Sequence, residues 1–408
     1  MKKININQYR REAVQYTAHD QCFTHNFSND FQIILLKNAD FAANEKTLAT
    51  CHQVVAKYDI NWTAQNLSGN KKRLGILKDE LAEYAGQDEI HLKAIIVSID
   101  NPQYQKDVAG DCHIYWHSTE LNKLVKRAVV VSNSIEEFFY YAALLIGPTL
   151  IEQLTSFSSE ILPCYVVGDL IGAEGWNSFK ELLSVTTLCC DWLVLRNGEF
   201  LPDNFWGNDK DMDILCRELT PFLLAINAGR KGQSMANFYV TVEGQMLDVD
   251  ARFVGDDYYD RCWQEDMLLT KTYQGVVPQL NIEHYFYSLP YHARIHKNVV
   301  KDIYVPRLSE MAEAIKLNFD ESILFNDRSC ARFIDEYFKL KGYKFTYPQD
   351  YACYENINRK VSRHITHVKA MPFNADFAWR LLKHRVFLGL CKILPRSLKD
   401  DVKRVLNR

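Results

Sequence analysis

Two Asp-x-Asp pairs, Asp211/Asp213 and Asp248/Asp250, are the residues of this chain whose type and spacing could do chemistry. Each pair lies in a run that reads as a β-strand, over Asp211–Cys216 and Gln245–Phe253. Residues two apart in a strand point to one face. Asp211 and Asp213 therefore project together, with Met212 and Ile214 on the opposite, buried face. Side-by-side carboxylates repel each other unless a cation sits between them. Hard divalent cations take oxygen ligands, and Mg²⁺ uses one or two carboxylates plus substrate phosphates. If the second strand lies next to the first, Asp250, with Asp248 as the alternate, completes a three-carboxylate cluster. Such a cluster holds two ions during in-line phosphoryl displacement. A single Asp-x-Asp is more often just a solvated or capping pair; the second pair on a neighbouring strand gives the pattern its weight.

The elements that would position these acids begin with a strand at Trp192–Arg196, followed by the turn-rich loop NGEFLPDNFWGNDK. A helix is predicted over Arg217–Asn227, ending at Gly229 as a left-handed cap. Strands over Asn237–Val242 and Gln245–Phe253 then form a hairpin at Glu243-Gly244. Upstream, β-branched runs predict strands over Phe31–Lys37, His91–Ile99, Ala128–Ser132 and Leu162–Val167. Helices are predicted over Asn44–Lys57, Lys71–Tyr84 and Ile135–Thr155, the last opened by the capping box Ser134-x-x-Glu137. This alternation predicts an open, largely parallel sheet. Gly168, Gly172 and Gly175 are spaced wrongly for a dinucleotide fingerprint.

From Asp256 onward the pattern is mostly helical, with aromatic and aliphatic residues at helical spacing over Ile282–Leu308. An amphipathic helix follows over Cys330–Lys341, ending at Gly342. The expected fold class is an α/β N-terminal domain (1–185) followed by an α+β domain (186–275) with a helical C-terminal part (276–378). A basic amphipathic tail (379–408) carries nine Lys/Arg against two Asp. That tail reads as a packed terminal helix or as a contact with an anionic membrane surface.

A chain of 408 residues, 47% hydrophobic and 24% charged, has material for several buried cores and no disordered profile. A net charge near −3 gives no reason to expect a nucleic-acid partner. The N-terminus lacks the apolar run of a signal peptide, and no run is long enough for a membrane span. The eleven cysteines are scattered without C-x-x-C pairs, against a disulfide framework or zinc ribbon. Adjacent Cys189 and Cys190 are expected to be buried, reduced thiols, and the expected location is cytoplasmic, with peripheral contact at the inner membrane face through the tail.

The acidic pattern resembles the nucleotidyltransferase superfamily, which includes DNA polymerase β and the aminoglycoside nucleotidyltransferases. That family carries a strand ending in a small Gly-Gly or Gly-Ser turn, a short spacer, Asp-x-Asp, and a third Asp on a later strand. Here Leu195-Arg196-Asn197 ends the first strand, thirteen residues (198–210) intervene, and Asp211-Met212-Asp213 follows. Asp250 stands as the third acid. The wider set LVLRNGEFLP, GNDKDMDIL, DARFVGDDYYDRCW and YHARIHKNVVKDIY is similar to uncharacterised nucleotidyltransferase-like proteins of bacterial surface-polysaccharide biosynthesis. The resemblance covers about sixty residues of 408. It implies a nucleotidyltransferase that uses Mg²⁺, with Mn²⁺ as the alternative, to transfer from an NTP to a sugar or polyol phosphate or glycan precursor. Asp211 and Asp213 would bind both ions, and Asp250 would serve the acceptor oxygen. The departure is Arg196-Asn197, which replaces the small turn whose backbone cradles phosphate. Arg196 could grip phosphate bidentately instead, or the domain could be catalytically inactive.

Further phosphate-binding candidates are Arg252, Lys231 beside Arg230, and Lys297. Arg252 shares a strand face with Asp250, so an ion pair with Asp248 or Asp250 competes with a phosphate role. Asp256-Asp257 and Tyr258-Tyr259 read first as a turn into a helix. His292 and His296 share a helix face at i, i+4, but no acid stands between them for a zinc-protease arrangement. Helix packing or substrate phosphate is the expected use of these histidines. No serine-nucleophile or kinase signature is present. The alternatives are an Asp-x-Asp glycosyltransferase using a nucleotide-sugar, and an inactive nucleotidyltransferase-fold scaffold.

Overall fold

The run NDFQIILLK forms β1 (Asn29–Lys37) and turns directly into α1 (Asn38–Cys51). The computed structural model describes residues 29–77, 80–100, 104–106, 113–115, 123–149, 151, 164–208, 211–231 and 235–370, with a few positions between 378 and 386. The extended backbone of His52 ends α1, and β2 (Gln53–Thr63) follows at once. The helix predicted over Asn44–Lys57 therefore stops early, because Val54 and Val55 belong to a half-buried strand. After β2 come α2 (Leu67–Arg73) and β3 (Glu89–Asp100). Positive φ at Gly75 and Leu81 breaks the helix predicted over Lys71–Tyr84. A small ribbon pairs β4 (Tyr104–Lys106) with β5 (His113–Tyr115), and β6 (Ala128–Val131) leads into α3 (Ile135–Leu145). The predicted cap is present: Ser134 accepts from the Glu137 N–H at 3.2 Å, and Glu137 accepts from the Asn133 N–H at 2.6 Å.

With β7 (Tyr165–Val167), the first sheet has the order β6-β1-β3-β2-β7. The expectation of a largely parallel sheet is wrong. β1–β3, β1–β6 and β2–β3 are antiparallel, and β2–β7 is the parallel pair. Both faces of this sheet are covered. Ile34, Leu36, Ile95 and Val97 pack with Leu48 of α1, while Ile33, Leu35, Ala94 and Ile96 share a core with Phe138 of α3. A strand buried on both faces reads as a continuous apolar run whichever way its neighbours point, and such runs are the usual mark of parallel sheets.

The second sheet is built after α4 (Phe179–Cys189). Its elements are β8 (Trp192–Val194), α5 (Phe205–Asn208), β9 (Asp211–Cys216), α6 (Leu219–Ala225), β10 (Gly229–Arg230), β11 (Asn237–Val242) and β12 (Gln245–Phe253). The helical part then contributes α7 (Arg261–Leu269) and a hairpin of β13 (Thr272–Gln274) and β14 (Val277–Gln279). The order is β10-β11-β12-β9-β8-β14-β13, with β9–β12 and β8–β14 parallel. The sheet thus extends past the boundary expected at 275. Glu243 and Gly244 both take positive φ in the predicted hairpin turn. The left-handed residue after α6 is Asn227, not Gly229. A Cβ at Gly229 in β10 would meet the far end of the exposed Tyr239 side chain at 2.3 Å, so that ring would have to swing away.

One apolar core runs from the first sheet through α3, α4 and α6 to the second. Arg73 at the end of α2 donates to the carbonyls of Leu224 (3.0 Å) and Ala225 (2.8 Å), satisfying the C-terminal end of α6. The boundary drawn at 185 therefore falls inside α4. Cys189 and Cys190 are free thiols, half-buried rather than buried as expected, and the burial of the Cys189 thiol pushes its pKa up to about 12.

The opposite face of the second sheet is covered by α7, α8 (Ile282–Tyr291), α10 (Asp327–Lys341), α11 (Tyr351–Asn356) and α12 (Arg359–Ser362), while α9 (Tyr304–Ala314) packs behind α8 in a cluster of its own. Leu193, Leu195 and Leu215 meet Trp263, Tyr291 and Phe338 on that face. Gly342 closes α10 with φ 78°, as predicted. The basic tail expected over 379–408, with its membrane reading, lies almost wholly outside the described residues. Among the described residues no helix is long and apolar enough to cross a membrane.

Candidate functional site

β9 and β12 run parallel and in register, so Asp211 stands beside Asp248 and Asp213 beside Asp250. Met212, Ile214, Leu247, Val249 and Ala251 point into the core shared with α6. The period of two then sends all four aspartates to the other face, toward the helical part. The sequence reading of two acid pairs on adjacent strands is what the register displays.

Each inner carboxylate is matched by an arginine. Arg196 donates from Nε to Asp213 Oδ2 at 3.0 Å, and its Nη2 lies 2.7 Å from Oδ1. The two side chains are 8% and 15% exposed, so this is a bidentate, partly desolvated pair. Burial opposes the charge on Arg196, but Asp213 raises its pKa well above the usual value. Arg252 reaches Asp250 Oδ2 at 3.2 Å and lies 3.6 Å from the buried carboxylate of Asp350. Its guanidinium also sits 4.2 Å over the Tyr258 ring. Asp250 Oδ1 is buried and lies 2.9 Å from Arg252 Nη2, its ion-pair partner among the described residues. Burial raises the Asp250 pKa, Arg252 opposes this, and neighbouring Asp213 adds to it. The outer acids are more open: Asp211 is exposed, and Asp248 pairs with Lys231.

Asn197 adopts φ 59°, the left-handed conformation that asparagine tolerates. Its N–H donates to Tyr285 Oη (3.3 Å), and its Oδ1 accepts from Arg307 Nη1 (2.9 Å). Arg307 also donates to Tyr285 Oη (2.7 Å) and pairs with Glu199. The Arg196-Asn197 turn is thus clamped by α8 and α9.

Pro290 lies near the end of α8, where a missing N–H and a crowded carbonyl disturb the helical ladder. Beyond it a π turn covers His292–His296, in which the Lys297 N–H reaches back to the His292 carbonyl at 3.0 Å. His292 Nδ1 lies 3.0 Å from Tyr258 Oη. His296 packs its ring 3.9 Å from that of Tyr258 and is 3% exposed, yet neither ring nitrogen has a hydrogen-bond partner. Burial, followed by the nearby Arg252, holds His296 well below the usual histidine pKa, so it is neutral.

A cavity of about 430 Å³ opens between β12, the π turn and α11. Asp250, Arg252 and Tyr258 form one wall. His296, Lys297 and Asn298 form a second, and Cys353 and Asn356 of α11 close it. Of the residues singled out from sequence, Asp250, Arg252, Tyr258, His296 and Lys297 meet here. Arg196 and Asn197 are committed to Asp213 and Arg307, and Lys231 to Asp248. Asn298, Cys353 and Asn356 were not found by sequence reasoning, since isolated Asn and Cys in helical patterns carry no signal.

The face carries carboxylate oxygens on adjacent strands, the donor type that hard divalent cations take. As the side chains stand, Arg196 occupies both oxygens of Asp213. Among the described residues no three acidic, histidine or cysteine side chains are gathered into a metal-holding group. Comparison with protein-family models, with curated proteins and with solved structures finds no match.

Proposed function

We propose that the chain is a metal-dependent nucleotidyltransferase, moving a nucleotidyl group from an NTP to an acceptor used in surface-polysaccharide biosynthesis. The observation that carries this reading is the parallel register of Asp211 with Asp248 and Asp213 with Asp250, on a face bordering a polar cavity. Asp211, Asp213 and Asp250 would hold Mg²⁺. The bound ions would neutralise triphosphate charge and lower the pKa of the acceptor oxygen. Asp250, braced by Arg252, stands on the cavity side, where it would accept the acceptor's proton. Arg196 is paired with Asp213, and its guanidinium is the nearest group to follow a phosphate arriving at that carboxylate. The aromatic cover of Tyr258, Tyr259 and Trp263 limits water on the inner side.

Calorimetry on the full chain tests this by comparing each NTP with Mg²⁺ against UDP-glucose with Mn²⁺. Mg²⁺-dependent NTP binding that Asp211→Asn removes supports the reading. A clear preference for the sugar nucleotide overturns it in favour of a glycosyltransferase.

A second reading is favoured by one observation, the engagement of both Asp213 oxygens by Arg196. On that reading the arginine replaces the cation permanently and the domain is a scaffold. NTP–Mg²⁺ binding absent from the wild type but gained in Arg196→Ala would mark that state.

A further inference from the structure

We infer that the loop Lys297–Ile303, together with α12, docks on an anionic lipid bilayer, its exposed aliphatic side chains entering the headgroup layer among a group of cations. The inference goes beyond the transferase reading and stands without it.

Asn358, the cap of α12, holds the two segments together. Its N–H donates to the Ile295 carbonyl at 2.8 Å. Its Nδ2 donates to the Arg294 carbonyl at 3.0 Å and to Asn298 Oδ1 at 2.7 Å. The first turn of α12 therefore stands beside the loop that leaves the π turn. Segments 297–303 and 358–363 carry Lys297, Lys301, Arg359, Lys360 and Arg363 against one acid, Asp302. All five cations are exposed. Acids on the flanking elements are already engaged, Asp327 by Arg294 and Glu355 by Arg385.

A basic face alone is ordinary solvated surface; the apolar content sets this one apart. Val299 is 57% exposed and Ile303 53%, although the adjoining Tyr304 and Leu308 are buried in a core. A soluble polyanion would pair with the cations and leave those two side chains in water. A bilayer takes both, the aliphatic groups at the acyl boundary and the Lys and Arg groups against lipid phosphates. The described helical positions between 378 and 386 repeat the pattern: Trp379, Leu382 and Val386 are exposed at spacings of three and four, which puts them on one helix face. Arg385 ties those positions to Glu355 of α11, one residue before Asn356 at the cavity. Lys297 and Asn298 also line the cavity, so docking brings its mouth to the lipid surface.

The test is co-sedimentation of the full chain with vesicles of phosphatidylcholine alone and of equimolar phosphatidylcholine and phosphatidylglycerol. Binding to the anionic vesicles and not to the neutral ones is expected, and it should fall at about 1 M NaCl, where the screening length is about 3 Å. Lys360→Ala/Arg363→Ala is expected to weaken binding about twenty-five-fold, or about fivefold for each charge near an anionic surface. Val299→Ser/Ile303→Ser leaves the charge unchanged and is expected to weaken binding about tenfold or more. Lys339→Ala/Lys341→Ala removes the same charge at the other end of α8, where Lys341 pairs with Glu283, and is expected to bind as wild type. Every substituted side chain is exposed, so thermal melts of the three variants should match the wild type. The inference is overturned if the anionic vesicles are not bound, if the neutral ones are bound as well, or if the charge variant weakens binding no more than the α10 control. Loss in the charge variant with none in the serine variant overturns the lipid assignment in favour of a soluble polyanion.

Discussion

Arg196 and Asp213 face each other as a fork and a carboxylate, with contacts of 3.0 Å and 2.7 Å from the end of β8 to the middle of β9. Two neighbouring strands thereby exchange a full charge pair where the surface of the sheet becomes the floor of the site. Removing one member strands the other in a poorly solvated place. Asp213→Ala and Arg196→Ala are each expected to cost about 3–5 kcal/mol, as for a broken buried ion pair. The double variant Arg196→Met/Asp213→Leu should cost much less than the sum. Urea unfolding of the three variants measures this, and additive losses would show that the two side chains are not coupled.

Asp211 gives the cleaner probe of metal binding because it is exposed at the start of β9. Asp211→Asn should leave the unfolding midpoint within about 0.5 kcal/mol of wild type, as for most surface changes. Mg²⁺-dependent stabilisation by NTP should nevertheless disappear. A thermal melt with and without NTP–Mg²⁺ separates the two effects, and retained stabilisation would remove Asp211 from the ligand set.

Asn197 carries a third expectation. Asn197→Ala deletes the acceptor for Arg307 Nη1 and leaves a β-carbon at φ 59°. The combined loss of a hydrogen bond and of left-handed tolerance should destabilise by about 1–3 kcal/mol. Asn197→Gly should lose less, since only the hydrogen bond goes. Equal losses from the two would mean that the backbone conformation is not under constraint.

How much of this was legible beforehand depended on whether the information was local. The strand at Asp211–Cys216, the Glu243-Gly244 hairpin and the Ser134 cap each follow from neighbours in sequence, and all are present. The two acid pairs could be assigned to strands, and their adjacency to one β-α-β-hairpin unit, for the same reason. The direction of the first sheet was not legible, because burial on both faces erases the alternation that marks antiparallel strands. The partners of the acids were also hidden. Arg196 and Asp213 are seventeen residues apart, and Arg252 and Asp350 are ninety-eight apart. No spacing rule selects those guanidiniums over others. The cavity depends on Cys353 and Asn356 returning to β12 after a hundred residues, which is tertiary information.

His284 makes acid stability testable. Trp263 Nε1 can only donate, so His284 Nδ1, 3.1 Å away, is the acceptor and the proton sits on Nε2. Tyr337 Oη lies 3.2 Å from the same nitrogen. Burial lowers the His284 pKa from 6.5 to about 4. Between those values the unfolded chain takes up the proton and the folded chain does not, so stability is lost as pH falls from 6.5 toward 4. The full effect is about 3 kcal/mol. His284→Gln, which keeps a neutral acceptor, should remove this loss in urea melts at pH 4.5 and 7.

Asp256 pulls the other way over nearly the same range. Its Oδ1 accepts from the Tyr258 N–H (2.9 Å) and from Gln264 Nε2 (2.7 Å). Burial nevertheless raises its pKa from 3.8 to about 6, with Arg252 opposing. Between pH 4 and 6 the folded chain keeps a proton that the unfolded chain has released. Stability from this group is therefore present at low pH and lost as pH rises through 6, by about 3 kcal/mol in total. In the wild type the His284 and Asp256 contributions run in opposite directions and flatten the profile between pH 4 and 6. Asp256→Asn keeps an oxygen for both donors while removing the buried charge. It should expose the histidine slope, giving a protein more stable than wild type at pH 7 and falling more steeply toward pH 4.5. If Asp256→Asn instead loses stability at pH 7, the ionised carboxylate is making a favourable pairing, with Arg252 the partner to examine by the matching double variant.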